Sequence, residues 1–382
     1  MNDLRRSILV FIDWFDPGYK AGGPIRSAVN FVKHMQSDYD VYVFTADRDL
    51  GATEPYEGIK ANEWINYDQR VSVFYCSPDR LSMNTVKGVL DEVNPSVIYL
   101  NSMFSRFFTI YPLLASRQKG WPARVVLAPR GMLRSSALQF KSLKKKIYLS
   151  LFRVLGLSRH ISFQATDDTE FKDIKKTFGQ ETETVLAPNW PGYIPPYPGS
   201  LPKLPGQLNV LFVGRLHPIK NLDVLLTCLQ PVQGNIVLTI IGNEEDKGFA
   251  TRCRDIAEGL SAGIRVDFRG EIPNHKLPAI LAEHHIFGLP TQGENFGHAI
   301  FEALAAGKPA LISDQTPWRQ LSAAYAGWDL SLAHQQQFTA ALQQATAFGQ
   351  EEYDKWSKGA WLFVQQKVNI QELNIIYQKL FN

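Results

Sequence analysis

The stretch from Ile286 to Ser313 limits the fold more than any other part of the chain. Ile286-Phe287-Gly288-Leu289-Pro290 is a short apolar run stopped by proline, and reads as a strand buried on both faces. After a loop beginning at Gly293, Ala299, Ile300, Ala303 and Leu304 recur at helical spacing, and Gly307-Lys308-Pro309 supplies a helix stop. A second apolar run, Ala310-Leu311-Ile312-Ser313, follows at once. Strand, glycine loop, helix, strand is the repeating unit of an α/β sheet. In such sheets ligands bind where loops leave the carboxyl ends of strands.

Two carboxylates frame this segment, Glu294 in the loop and Glu302 in the helix, with seven residues between them. Between them, Asn295-Phe296-Gly297-His298 leads into the helix. Backbone N–H groups at a helix start stabilise an anion such as phosphate, and Gly297 lets a ligand approach the main chain closely. Glu294 and Glu302 then accept hydrogen bonds from hydroxyls on either side. An anion flanked by polyols describes a nucleotide sugar.

The same alternation runs through the chain. Strand-like runs occur at Ser7–Ile12, Val41–Phe44, Val71–Tyr75, Ser96–Leu100, Val125–Ala128 and Ile161–Ala165, mostly separated by helix-length segments. Gly22-Gly23 precedes the first helix as a phosphate-cradle type of loop, without the three-glycine dinucleotide spacing or a Walker loop. Ala46 to Asn62 reads as a long polar loop. Seven prolines between Pro188 and Pro205 mark a linker. Beyond it Leu208–Val213 restarts a sheet and runs into Gly214-Arg215-Leu216-His217-Pro218-Ile219-Lys220-Asn221. Arg215 at a strand end and Lys220 at a helix start suit the charge that grows on a departing diphosphate.

Gly214-Arg215-Leu216 with Lys220-Asn221, and Glu294-Asn295-Phe296-Gly297 with Glu302 and Ala306-Gly307-Lys308-Pro309, resemble the donor site of retaining glycosyltransferases of family 4. The resemblance spans most of the chain. It implies α/β architecture of the GT-B type, two doubly wound parallel-sheet (Rossmann-like) domains facing across a cleft. The expected boundaries are 1–187 for an acceptor-side domain, 188–207 for the linker, 208–360 for the donor domain and 361–382 for a final helix crossing back to the first. It implies transfer of a sugar from a nucleoside diphosphate to an acceptor hydroxyl with retention, by front-face attack. Arg215, Lys220, Glu294 and Arg130 become catalytic candidates. Gly22, Gly23, Asn295, Phe296, Gly297, His298, Glu302, Gly270 and Ile272 become donor-binding candidates, with backbone near Gly270 and Ile272 holding the base. Many members carry a histidine at the end of a first-domain strand, where this chain has Arg130-Gly131. Arg130 neutralises a phosphate or holds an anionic acceptor, but has no base function.

The resemblance also implies no metal and no other cofactor, since the cations and a helix N-terminus take the metal's place. The Glu-Asn-Phe-Gly-His and Thr316-Pro317-Trp318 pieces are similar to bacterial enzymes of lipopolysaccharide or exopolysaccharide assembly. That gives a growing, lipid-linked glycan as acceptor. A basic helix with an apolar face over 141–155 (Lys141, Lys144, Lys145, Lys146 and Arg153) reads either as a membrane-surface element or as an ordinary core-facing helix. Net charge of +3 argues against nucleic acid, and Cys76, Cys228 and Cys253 lack metal spacing. The expected setting is cytoplasmic, peripheral at the inner face of the membrane. Two other readings stay open, a non-catalytic partner subunit that keeps the fold and a nucleotide-sugar epimerase.

Overall fold

The computed structural model describes residues 5–118, 122–134, 138 and 142–382. Lys141 of the basic helix lies outside them. The chain divides into two compact units, Met1–Trp190 together with Ile370–Asn382, and Pro191–Asn369.

The first unit holds β1 (Ser7–Phe11), β2 (Asp40–Ala46), β3 (Trp64–Asp68), β4 (Val71–Cys76), β5 (Val97–Leu100), β6 (Arg124–Leu127), β7 (Ser162–Ala165) and β8 (Thr184–Leu186). They form one sheet in the order β3-β4-β2-β1-β5-β6-β7-β8, parallel except where β3 pairs with β4. Successive residues point to opposite faces of a strand. Ile8 and Val10 therefore join Phe31, Val41 and Val43 in one apolar layer, while Leu9 and Phe11 join Phe44, Leu100 and Phe163 in the other. Burial on both faces is why these strands read as unbroken apolar runs.

In this first sheet two strands escape that pattern and were absent from the sequence reading. β3 and β8 are edge strands of mixed exposure, with no continuous apolar run. Trp64 at the start of β3 packs edge-on against Tyr42 and Phe74, with ring centroids 5.4 Å from each.

The last helix, Ile370–Phe381, belongs to the first unit. It buries Tyr377, Leu380 and Phe381 beside Phe31, Tyr99 and Trp190. The expected boundary at 361 falls inside the helix Gln350–Lys367, and the chain breaks at Val368-Asn369 instead. The proline-rich stretch has no helix or strand from Pro191 to Leu204, yet it is not a free tether. Trp190 is buried in the first unit, its carbonyl accepting from Asn30 Nδ2 at 3.3 Å. Lys203 is buried in the second, and its Nζ donates to the Thr346 and Phe348 carbonyls at 3.1 and 2.9 Å.

The second unit is a parallel sheet of β9 (Gln207–Val213), β10 (Asn235–Ile241), β11 (Ile264–Gly270), β12 (Ile286–Leu289), β13 (Ala310–Ser313) and β14 (Gly327–Leu330). Their order is β11-β10-β9-β12-β13-β14. Among the parallel strands of each sheet the order reverses once, between β1 and β5 and between β9 and β12. Those are the positions at which the carboxyl ends of open parallel sheets form binding crevices.

Candidate active site

At the β9/β12 reversal, three loops are tied together before any ligand is considered. Gly242, just past β10, has φ 153°, and a Cβ there would lie 1.8 Å from the Gly214 carbonyl oxygen. Only glycine permits that crossing. Gly214 N donates to Ile241 O at 2.9 Å and Leu216 N to Asn243 O at 2.7 Å, so the β9 loop leans on the β10 loop. On the other side, Gln292 N donates to Ile219 O at 2.8 Å and Asn221 Nδ2 to Pro290 O at 2.8 Å.

These ties bring Lys220 and Glu294 into contact. Lys220 sits at the end of a short turn that His217 caps through its Nδ1, and Lys220 Nζ lies 2.5 Å from Glu294 Oε1. Both side chains are mostly buried, at 15% and 14% exposure, so this pair is far less screened than a surface one. Arg215 is exposed and ion-pairs with Glu245.

The Glu294 loop is propped from below. Trp318 is buried in the core, and its Nε1 donates to Phe296 O at 2.5 Å. The Phe296 ring meets Trp318 edge-on at 5.5 Å. Gly297 caps the helix His298–Ala305 with φ 76°, a left-handed conformation that favours glycine. A Cβ on Gly297 would also press on Ile300 Cδ1 at 3.0 Å. Asn295 is half-buried in the same loop, His298 opens the helix, and Glu302 lies half-buried one turn in. Gly270 ends β11 with φ 68° and open space at its Cβ position, and Ile272 packs partly on the core. They lie beyond β10, two strands from β9.

The first unit carries its own polar cluster at the β1/β5 reversal. Gly22 (φ 66°) caps the helix Gly23–Met35, and the preceding loop is held by Asp49, which accepts from Tyr19 N at 2.8 Å and Lys20 N at 3.1 Å. Arg130 follows β6 and is turned into the unit. Its Nη2 donates to Tyr99 Oη at 2.8 Å and Asn101 Oδ1 at 2.6 Å, and its Nη1 to Asn189 Oδ1. Its Nε reaches Asn101 Oδ1 at 3.3 Å. All three nitrogens are thus engaged inside the unit. Asp167 caps the next helix, accepting from Glu170 N at 2.8 Å, and the buried Glu170 accepts from Thr166 N at 2.8 Å and Gly131 N at 2.5 Å.

Sequence reasoning passed over several residues here. Asp13 sits just past β1 and accepts from Ser105 Oγ at 2.7 Å, with burial raising its carboxyl above the usual range. Its signal was its position, the first acid after the opening apolar run. Glu245, as partner of Arg215, and Trp318, as prop of the Phe296 loop, are tertiary facts with no local signature.

Comparison with known proteins falls on this geometry. Residues 197–360 match the family of group 1 glycosyl transferases. That region contains Arg215, Lys220, Glu294 and Glu302. The chain is 31% identical over 106 residues to a D-inositol 3-phosphate glycosyltransferase of Mycobacteroides abscessus, covering 27% of this chain and 24% of that protein. It is 32% identical over 117 residues to a phosphatidyl-myo-inositol mannosyltransferase of Mycobacterium leprae, covering 29% of this chain and 30% of that one. The chain thus matches under a third of the length of these relatives. Whole-chain likeness comes from structures. Anabaena HepE in complex with UDP and glucose superposes with a TM-score of 0.69 at 14% identity, covering 98% of this chain and 99% of that one. WaaG, a glycosyltransferase involved in lipopolysaccharide biosynthesis, gives 0.65 at 15% identity, covering 97% and 99%. The fold is GT-B, with two parallel-sheet α/β units.

Proposed function

We propose that the chain is a retaining, nucleoside-diphosphate-sugar-dependent glycosyltransferase of family 4 type. The observation that carries this reading is the Lys220–Glu294 contact at the β9/β12 reversal, inside the region that matches the group 1 family. In this reading Arg215 leaves Glu245 for the diphosphate, and Lys220 meets the same anion. Charge at those oxygens grows as the bond from the anomeric carbon to the phosphate oxygen breaks. Fixed cations therefore favour the transition state over the ground state. The acceptor oxygen attacks that carbon from the same face, and its proton passes to the departing phosphate. Glu294 and Glu302 accept from donor hydroxyls, the start of the helix at His298 faces the phosphates, and Gly270–Ile272 offers backbone to the base. With Arg215 and Lys220 neutralising the charge, the reaction needs no metal, and activity persisting in a chelator is the matching expectation.

The bonding of Arg130 to Tyr99, Asn101 and Asn189 supports a positioning role for it, shaping the end of β6 and the Gly131 loop. The acceptor we propose is a lipid-linked glycan of bacterial surface polysaccharide, used at the inner membrane face. The mannosyltransferase relative named for phosphatidyl-myo-inositol and the lipopolysaccharide enzyme among the structural neighbours support that choice.

The test is release of nucleotide from a panel of nucleotide sugars without acceptor, by the native chain and by Glu294→Ala and Arg215→Ala. Slow release from one donor, reduced in both variants, is expected. Neither binding nor release from any donor would leave the partner-subunit reading in its place.

A further inference from the structure

The helix Ser142–Val154 shows solvent what most helices bury. One side packs normally: Leu149 and Phe152 are in the core, and Tyr148 Oη donates to Met103 O at 2.8 Å. Another side holds Leu143, Ile147, Leu151 and Val154, exposed by 71%, 53%, 54% and 82%, with Leu155 at 55% just past the end. Leu143, Ile147, Leu151 and Leu155 are four residues apart. At about 100° per residue they form one stripe about 120° wide that includes Val154 and, near one edge, Lys144. The other exposed large apolar residues among those described are scattered along the chain, singly or in small groups, which is ordinary for a surface. A continuous stripe is not.

The charge on this helix has one sign. Lys144, Lys146 and Arg153 are exposed on the same helix, and Arg117 Nη1 donates to Leu155 O at 3.0 Å. From Val93 to Thr166 the sequence holds twelve lysines and arginines and no aspartate or glutamate, although the whole chain is only +3. Arg124 pairs with Glu183 and Arg134 with Asp167, and the other cations leave this stretch, with the helix that carries the stripe, net positive. A second copy of the chain would bring the same cations face to face. An anionic bilayer offers an apolar layer beneath negative headgroups and complements both features.

We propose that the helix Ser142–Val154 seats the first unit on an anionic membrane surface. Leu143, Ile147, Leu151, Val154 and Leu155 lie in the headgroup–acyl boundary, and Lys144, Lys146 and Arg153 lie against lipid phosphates. The helix lies in the plane of the surface, since thirteen residues are too few to span and no described helix is long and apolar enough to cross a membrane. The inference gives the proposed lipid-linked acceptor its docking surface and rests on that reading only for its purpose.

The experiment is co-sedimentation of the full chain with vesicles of phosphatidylcholine alone and of equal parts phosphatidylcholine and phosphatidylglycerol. Binding to the mixed vesicles only, weakened by salt, is expected. Leu143→Gln with Leu151→Gln should weaken it about 10-fold. Lys144→Ala and Lys146→Ala should each weaken it about 5-fold. All these positions are exposed, so thermal stability should stay native. Nucleotide release from a water-soluble donor should also stay native in these variants. Loss of release in the native chain would count against the transferase reading and leave this one standing. Equal binding to both vesicle types, or none to either, would overturn the proposal. So would a concentration-dependent dimer that Leu151→Gln abolishes while vesicle binding is absent.

Discussion

Lys220 and Glu294 are 74 residues apart in sequence and 2.5 Å apart in space, and the proposed chemistry depends on both. Lys220→Met should lower nucleotide release by about 10²–10³-fold, the usual cost of losing one charge-stabilising group. The double variant Lys220→Met with Glu294→Gln should fall less than the product of the singles, because contacting groups do not act independently. Steady-state kinetics on all three chains decides this, and full additivity would show that the contact has no functional weight. Gly242 matters for a different reason. A Cβ placed 1.8 Å from the Gly214 oxygen forces the β9 and β10 loops apart. Gly242→Ala should destabilise the chain by at least about 2 kcal/mol, read as a lowered urea midpoint, and should displace Arg215.

At the scale of elements, His285 staples the second unit. Its Nδ1 accepts from Asn209 N at 2.8 Å, and its Nε2 meets Pro202 O at 3.1 Å. Tyr353 Oη adds a bond to its carbonyl at 2.9 Å. The loop before β12 is thereby held to β9, to the proline-rich stretch and to the helix Gln350–Lys367. Burial, with the nearby Lys203 and Lys308 charges, pushes the imidazole pKa down to about 4. Protonation would also set an N–H against the Asn209 N–H. The ordinary value is about 6.5, so between these limits the unfolded chain binds the extra proton. Stability from this group is complete above about pH 6.5 and is lost as pH falls toward 4. Between pH 7 and pH 5 the loss should be about 2 kcal/mol. Urea unfolding at the two pH values measures it, and His285→Asn, which keeps an acceptor, should flatten the dependence.

At the scale of the whole molecule, each unit owns a core, but the first is completed by the far end of the chain. Gln164 Nε2 donates to Tyr377 Oη at 2.9 Å, Tyr377 Oη donates to Pro188 O at 3.0 Å, and Arg124 Nε donates to Leu380 O at 2.7 Å. Ending the chain at Asn369 removes these bonds and uncovers Phe31, Tyr99 and Trp190. The shortened chain should melt in two steps, with the first unit's transition displaced downward and the contiguous Pro191–Asn369 unit little changed. Calorimetry with limited proteolysis distinguishes this from a single cooperative loss.

Local sequence determined much of this protein. Strands buried on both faces announce themselves as apolar runs, so the alternating α/β order was legible. So was the loop and helix between β12 and β13, because its glycine stop and apolar spacing depend on neighbours within a few positions. The edge strands β3 and β8 were not legible, since a strand buried on one side leaves only a weak pattern. Nor was the break at Val368-Asn369, where one helix closes the second unit and the next closes the first. Tertiary structure alone decided that Arg130 turns inward to Tyr99, Asn101 and Asn189, that Glu245 holds Arg215, and that Trp318 supports the Phe296 carbonyl. It also decided which side of the helix Ser142–Val154 is left uncovered. Periodicity shows that a helix has an apolar stripe, but only the packing of the other elements determines whether the core takes it.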